Sequence, residues 1–181
     1  MNIHDRFQRE LFFMTDTVVD WVDIFTRPTY KHIILESLQY CVQHKGLIIH
    51  AWVLMSNHLH TIVSCEENTK IDSIWRDFKK FTSKQILATL ESDTTESRRE
   101  WILDRFAFRA SNDSRIKQYK CWQDGNGEQL IFSNDYLKQK LDYIHDNPVK
   151  AEYVNSPEDY RYSSAIDYAG GKGLLHIELI L

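Results

Sequence analysis

The chain has 181 residues, 43% of them hydrophobic and 13% aromatic, enough for one ordinary domain with a real core and too apolar for a disordered protein. Its net charge of −4 does not by itself suggest a nucleic-acid partner, and no apolar run is long enough to span a membrane. Cys41, Cys65 and Cys121 are scattered without a CxxC pair, which predicts reduced thiols in a cytoplasmic protein, with neither a disulfide framework nor a zinc knuckle.

The first predicted element is a strand over Leu11–Val22, rich in β-branched and aromatic residues. A helix over Tyr30–His44 follows, introduced by Pro28 and closed by Gly46. Leu47–Val53 reads as a second strand. Ser56-Asn57 then makes a kink or tight hairpin into a third strand that carries His58-Leu59-His60. Side chains alternate along a strand, so the two imidazoles share one face while Leu59 points into the core. Adjacent imidazoles on one face are potential metal ligands.

Lys70–Leu90 reads as the clearest helix, with Ile71, Ile74, Trp75, Phe78, Phe81, Ile86 and Leu90 on its apolar stripe. Ser92–Glu100 reads as a loop, and Trp101–Lys117 as a short helix followed by an irregular segment. Residues 75–120 hold eleven Lys/Arg against seven Asp/Glu, an excess of four, so the remainder carries −8. That basic middle nominates Lys79, Lys80, Lys84, Arg105 and Arg109 as phosphate contacts, with a solvated helix surface as the alternative. Two short strands, Tyr119–Gln123 and Gln129–Phe132, are expected to form a hairpin through Asp124-Gly125-Asn126-Gly127. Ser133-Asn134-Asp135 caps a helix over Tyr136–His145 that is expected to stop at Asn147-Pro148. Tyr143 and Asn147 share a face of that helix if its last turn holds, whereas His145 lies about 200° away from the tyrosine. The order of elements predicts an α+β fold with an antiparallel sheet. The chain reads as a single domain over 1–181, its core at about 11–154 and a tail at 155–181.

Four segments occur in one order: MSNHLHTIV, FKKFTSKQI (Phe78–Ile86), YIHDNPVKAEYV (Tyr143–Val154) and YRYSSAIDYAG (Tyr160–Gly170). On these the chain resembles the single-tyrosine HUH transposases, in particular the branch associated with repetitive extragenic palindromes, from about Leu11 to Gly171. The resemblance implies an RRM-like sheet flanked by helices, with His58, His60 and Asn147 as metal ligands and Tyr143 as nucleophile. It implies a divalent ion, Mg²⁺ or alternatively Mn²⁺, and single-stranded or hairpin DNA from palindromic repeats as substrate. The implied reaction cleaves and rejoins DNA through a covalent 5′-phosphotyrosine, and the implied assembly is a monomer or homodimer. Ser56 departs from the family pattern, in which proline often stands before the histidine motif, and the 92–117 region is longer than expected. Two other readings remain: a catalytically silent hairpin DNA- or RNA-binding regulator of the same fold, and an RRM-like single-strand RNA binder.

Overall fold

The computed structural model describes residues 9–113, 118–125 and 128–180. Four antiparallel strands form one sheet: β1 Leu11–Thr17, β2 Leu47–Leu54, β3 His58–Cys65 and β4 Gln129–Ile131, in the order β2-β3-β1-β4. The helices are α1 Pro28–His44, α2 Ile71–Ser92, α3 Arg99–Ser111, α4 Asn134–Lys150 and a short α5 Ala165–Tyr168. This is the expected α+β, RRM-like architecture. Helices α1, α2 and α3 cover one face of the sheet around Trp52, Trp75, Phe25 and Phe106. Helix α4 covers the other through Leu137, Leu141 and Ile144, which meet Phe13, Val53 and Ile62.

Strand β2 is buried along its entire length, LIIHAWVL, and its apolar run shows no alternation. Helices cover both faces of the strand, and a bulge at His50 resets which residues meet which face. Ile49 pairs with Val63 and Ala51 with Ile62, so one extra residue interrupts the ladder. The insertion shifts the phase: Leu47 and Ile49 face α1 and α2, as do Trp52 and Leu54, whereas Ala51 and Val53 face α4.

The C-terminal segment covers the outer edge of β2 rather than trailing from the domain. Leu54 N–H donates to Tyr162 O (2.9 Å), Ser164 N–H to Trp52 O (2.9 Å) and Glu178 N–H to Ile49 O (2.9 Å). Ser163 and Ser164 are fully buried there. An otherwise open strand edge is thereby satisfied by the chain's own end.

Four expectations need correction. β1 ends at Thr17, and Asp20 and Trp21 beyond it have left-handed backbones (φ 54° and 55°), which no strand tolerates. Phe81 does not join the apolar stripe of α2; it is 52% exposed. Residues 119–123 do not pair with 129–132. Both segments lie antiparallel to the β1 region instead, Trp122 opposite Val18 and Ile131 opposite Leu11, so they run collinearly along one edge. Asn126 and Gly127 of the expected turn lie outside the described residues. Finally, α4 continues through Pro148 to Lys150. Pro148 extends the buried stripe Leu137-Leu141-Ile144, and packing that ring outweighs the local stop signal. The Ser133 cap forms as expected, its hydroxyl accepting from Tyr136 N–H (3.2 Å).

Burial holds several histidines neutral. His50 sits between Ser64 Oγ (2.8 Å) and the Glu178 carbonyl (2.9 Å), and desolvation lowers its pKa. His145, beside Ser164 Oγ (3.0 Å) and the Tyr168 ring, is pushed by burial to about 4. These folded values lie below the unfolded value near 6.5. The stability they contribute is therefore present above pH 6.5 and lost as pH falls toward the folded values. We expect unfolding free energy to drop by a few kcal/mol, roughly 2 for His145 alone, between pH 7 and pH 5. Denaturant titrations in chelator across that range should show it, and a flat profile would mean that these rings protonate without cost.

Candidate active site

Strand β3 presents His58 and His60 on the face covered by α4, with Leu59 buried on the other. The two rings lie 4.8 Å apart between centroids. Helix α4 crosses this face and brings Tyr143 to them: its hydroxyl is 3.4 Å from His60 Nε2, and the ring centroids are 5.0 Å apart. Because α4 holds its turn past Pro148, Asn147 stays one turn after Tyr143, and its side chain hydrogen-bonds His58. Four residues separated by up to 89 positions thus converge on one point.

Each imidazole is oriented from behind. His60 Nδ1 lies 2.9 Å from Thr15 Oγ1, its register partner on β1, which leaves Nε2 facing Tyr143. Its ring stacks on Phe13 at 5.5 Å. Desolvation, with the nearby His58 and the Lys140 charge, pushes its pKa down to about 3. His58 Nδ1 donates to Asn57 Oδ1 (2.7 Å). The Asn57 amide is fixed in turn, Nδ2 donating to Asp23 Oδ1 (2.8 Å) and to Trp21 O (3.2 Å). Burial lowers the His58 pKa, opposed by the Asn147 hydrogen bond and the Asp23 charge. Both rings are therefore neutral at pH 7, each with Nδ1 engaged from behind, while His60 Nε2 faces Tyr143 and His58 also meets Asn147. That is the arrangement a metal-binding histidine needs, with the outer partner setting the tautomer. A divalent ion fits this donor set of two imidazole nitrogens and one amide oxygen.

The hairpin before His58 is rigid despite Ser56. Ser56 Oγ donates to Asp23 Oδ1 (2.6 Å), Phe25 N–H to Ser56 O (2.8 Å) and Val18 N–H to Asn57 O (2.9 Å). Tyr153 and Tyr136, two other tyrosines near this helix, are committed to Ser56 and Gln129 respectively. His145 faces the C-terminal segment, away from the histidine pair, as its helical angle predicts.

The basic residues fall elsewhere. Lys79, Lys80 and Lys84 lie on α2, across the sheet from Tyr143. Lys79 is turned inward to the buried Asp16 (3.3 Å) and to Gln123 O (3.3 Å), whereas Lys80 and Lys84 are exposed. Arg105 and Arg109 lie on α3, where Arg109 pairs with Asp20. Sequence reasoning missed Thr15, Asn57 and Lys140. Lys140 stands one helical turn before Tyr143, its ammonium 4.3 Å from the Phe13 ring centroid and 5.9 Å from that of Tyr143. Thr15 had no local signal, since only strand register sets it against His60.

The family model described as "Transposase IS200 like" matches residues 21–125, more than half of the chain and inclusive of both histidines. No curated protein sequence matches the chain. Among solved structures, one described as a REP-associated tyrosine transposase bound to a REP hairpin has a similar fold. It is 20% identical, with a TM-score of 0.56, and the match covers 95% of this chain and 87% of that one. By the family match, this chain belongs to the IS200-like transposases.

Proposed function

We propose that the chain is a metal-dependent transposase of the palindrome-associated branch that cleaves and rejoins single-stranded or hairpin DNA through a covalent phosphotyrosine. The observation that carries this reading is the approach of the Tyr143 hydroxyl to His60 Nε2, 3.4 Å across 83 residues of sequence. The structural neighbour, described with a REP hairpin bound, supports a hairpin DNA partner. A divalent ion held by His58, His60 and Asn147, Mg²⁺ or Mn²⁺, would supply charge neutralisation at the scissile phosphate.

The chain's own residues do the rest. Tyr143, 41% exposed and with its hydroxyl beside His60 Nε2, gives up its proton to solvent and attacks phosphorus. The P–O3′ bond breaks, the 3′ oxygen takes up a proton, and the 5′ phosphate stays on the tyrosine oxygen. The ester retains the energy of the broken bond, so attack by a 3′-hydroxyl rejoins a strand without a nucleotide cofactor. Tyr143 meets the histidines of its own chain, so one copy supports the site. Incubation of the full chain, with Mg²⁺ or Mn²⁺, with single-stranded oligonucleotides from palindromic repeats should yield an adduct stable to denaturation. Hairpin binding without any adduct would instead support the silent regulator.

Lys80, Lys84, Arg105 and Arg109 are proposed as phosphate contacts for the body of the hairpin. Removing Lys80 and Lys84 together should lower the slope of log K against log salt by about two. Lys79→Ala should act on stability instead, costing roughly 1–3 kcal/mol, because the buried Asp16 loses its counter-charge and keeps the hydrogen bond from Trp75 Nε1–H (2.7 Å). Salt-dependent anisotropy and urea unfolding separate the two outcomes.

A further inference from the structure

Beside the histidine pair stands an exposed aromatic that the proposed mechanism does not use. Trp21 is 59% exposed, and its ring lies edge-on to His58 at 6.0 Å. It is held there at a cost. Asp20 and Trp21 both have left-handed backbones (φ 54° and 55°), a conformation that residues other than glycine seldom adopt without outside contacts to hold it. Arg109 anchors the Asp20 carboxylate, and Asn57 Nδ2 donates to the Trp21 carbonyl. A cavity of about 500 Å³ opens beside the indole, lined by polar groups including Arg109, Asn112, Lys120 and Gln123.

A second aromatic surface lies at the other end of β1. Leu11 pairs with Ile131, so Phe132 sits past the start of that strand while Trp21 sits past its end, roughly 20–25 Å away. Phe132 is 68% exposed and stacks on Tyr136 at 5.1 Å with an interplanar angle of 17°. Lys140 lies over the Tyr136 ring (5.1 Å) and near that of Tyr143 (5.9 Å), bridging this surface to the nucleophile. Exposed aromatics on both sides of a phosphate-handling centre, with a cation between, match the chemistry of a single strand whose bases stack and whose backbone is neutralised.

We infer that the unpaired strand crosses the site along β1, with one base stacked on Trp21 and bases on the other side of the cleaved phosphate carried by Phe132. The inference rests on the single-strand cleavage reading above and adds the strand's path and its two stacking platforms. The polar cavity beside Trp21 is placed to contact the edges of the stacked base.

The test is binding without catalysis. Anisotropy of a labelled single-stranded oligonucleotide is measured in chelator with the full chain, Trp21→Ala, Trp21→Phe and Phe132→Ala. Stacking is worth about 1–3 kcal/mol per base, so each alanine variant should weaken binding by roughly 5- to 150-fold, with Trp21→Phe close to the parent. Moving one abasic site along the oligonucleotide should find a position where the parent loses affinity and Trp21→Ala loses no more. That measurement on the parent protein stands even if a variant unfolds. Unchanged affinity in both alanine variants, or equal losses at every abasic position, overturns the inference. A chain that shows these losses but never forms an adduct keeps its strand path and loses the cleavage reading. Adduct formation with affinity indifferent to Trp21 and Phe132 does the reverse.

Discussion

Tyr143→Phe is expected to abolish the covalent DNA adduct while leaving the fold and hairpin binding intact. The change removes one oxygen from a ring that is 41% exposed and whose hydroxyl meets His60 Nε2 at 3.4 Å. Stability should therefore shift by no more than about 0.5 kcal/mol, the range of a surface substitution. Phe13 continues to meet the ring edge at 6.0 Å, so the side chain keeps its place. The chemical loss is total, because phenylalanine has no atom that can bond to phosphorus. Denaturing gels with end-labelled oligonucleotide read the outcome directly. An adduct in the variant, mapped to Tyr136 or Tyr153, would refute the assignment; those hydroxyls are hydrogen-bonded to Gln129 and Ser56.

The second large effect is expected from the histidine pair. His58→Ala and His60→Ala should each abolish adduct formation and remove Mn²⁺ binding measurable by calorimetry, while hairpin affinity in chelator persists. His58 is the cleaner variant, since it is only partly buried, whereas His60 stacks on Phe13 and leaves a void when truncated. Asn57→Ala separates ligand from support. It removes the acceptor that sets the His58 tautomer and should weaken metal binding by roughly 10- to 100-fold without eliminating it. Full metal affinity in His58→Ala would show that the ion, if bound at all, is held elsewhere.

What the sequence determined by itself was whatever depends on local periodicity. Period-two alternation placed His58 and His60 on one face with Leu59 on the other, and the 3.6-residue turn placed Tyr143 with Asn147 and away from His145. The Ser133 cap and the Gly46 helix end were equally local, the latter an achiral residue at φ 71°. Tertiary structure decided everything that needs two distant segments in register. It set Thr15 behind His60 and turned Lys79 inward to Asp16, although nothing in the spacing of α2 distinguishes that lysine from exposed Lys80. It carried α4 through Pro148 because burying the ring on the Leu137-Leu141-Ile144 stripe outweighed a local stop. It also bent the chain at Asp20-Trp21, where β-branched and aromatic residues suggested more strand, because contacts from Arg109 and Asn57 hold a backbone that local preference opposes. Ordinary local preferences are worth fractions of a kcal/mol per residue, and even an interior proline or a left-handed residue costs only about 1–3, whereas burial and several long-range hydrogen bonds act together, so at these positions the distant contacts prevail.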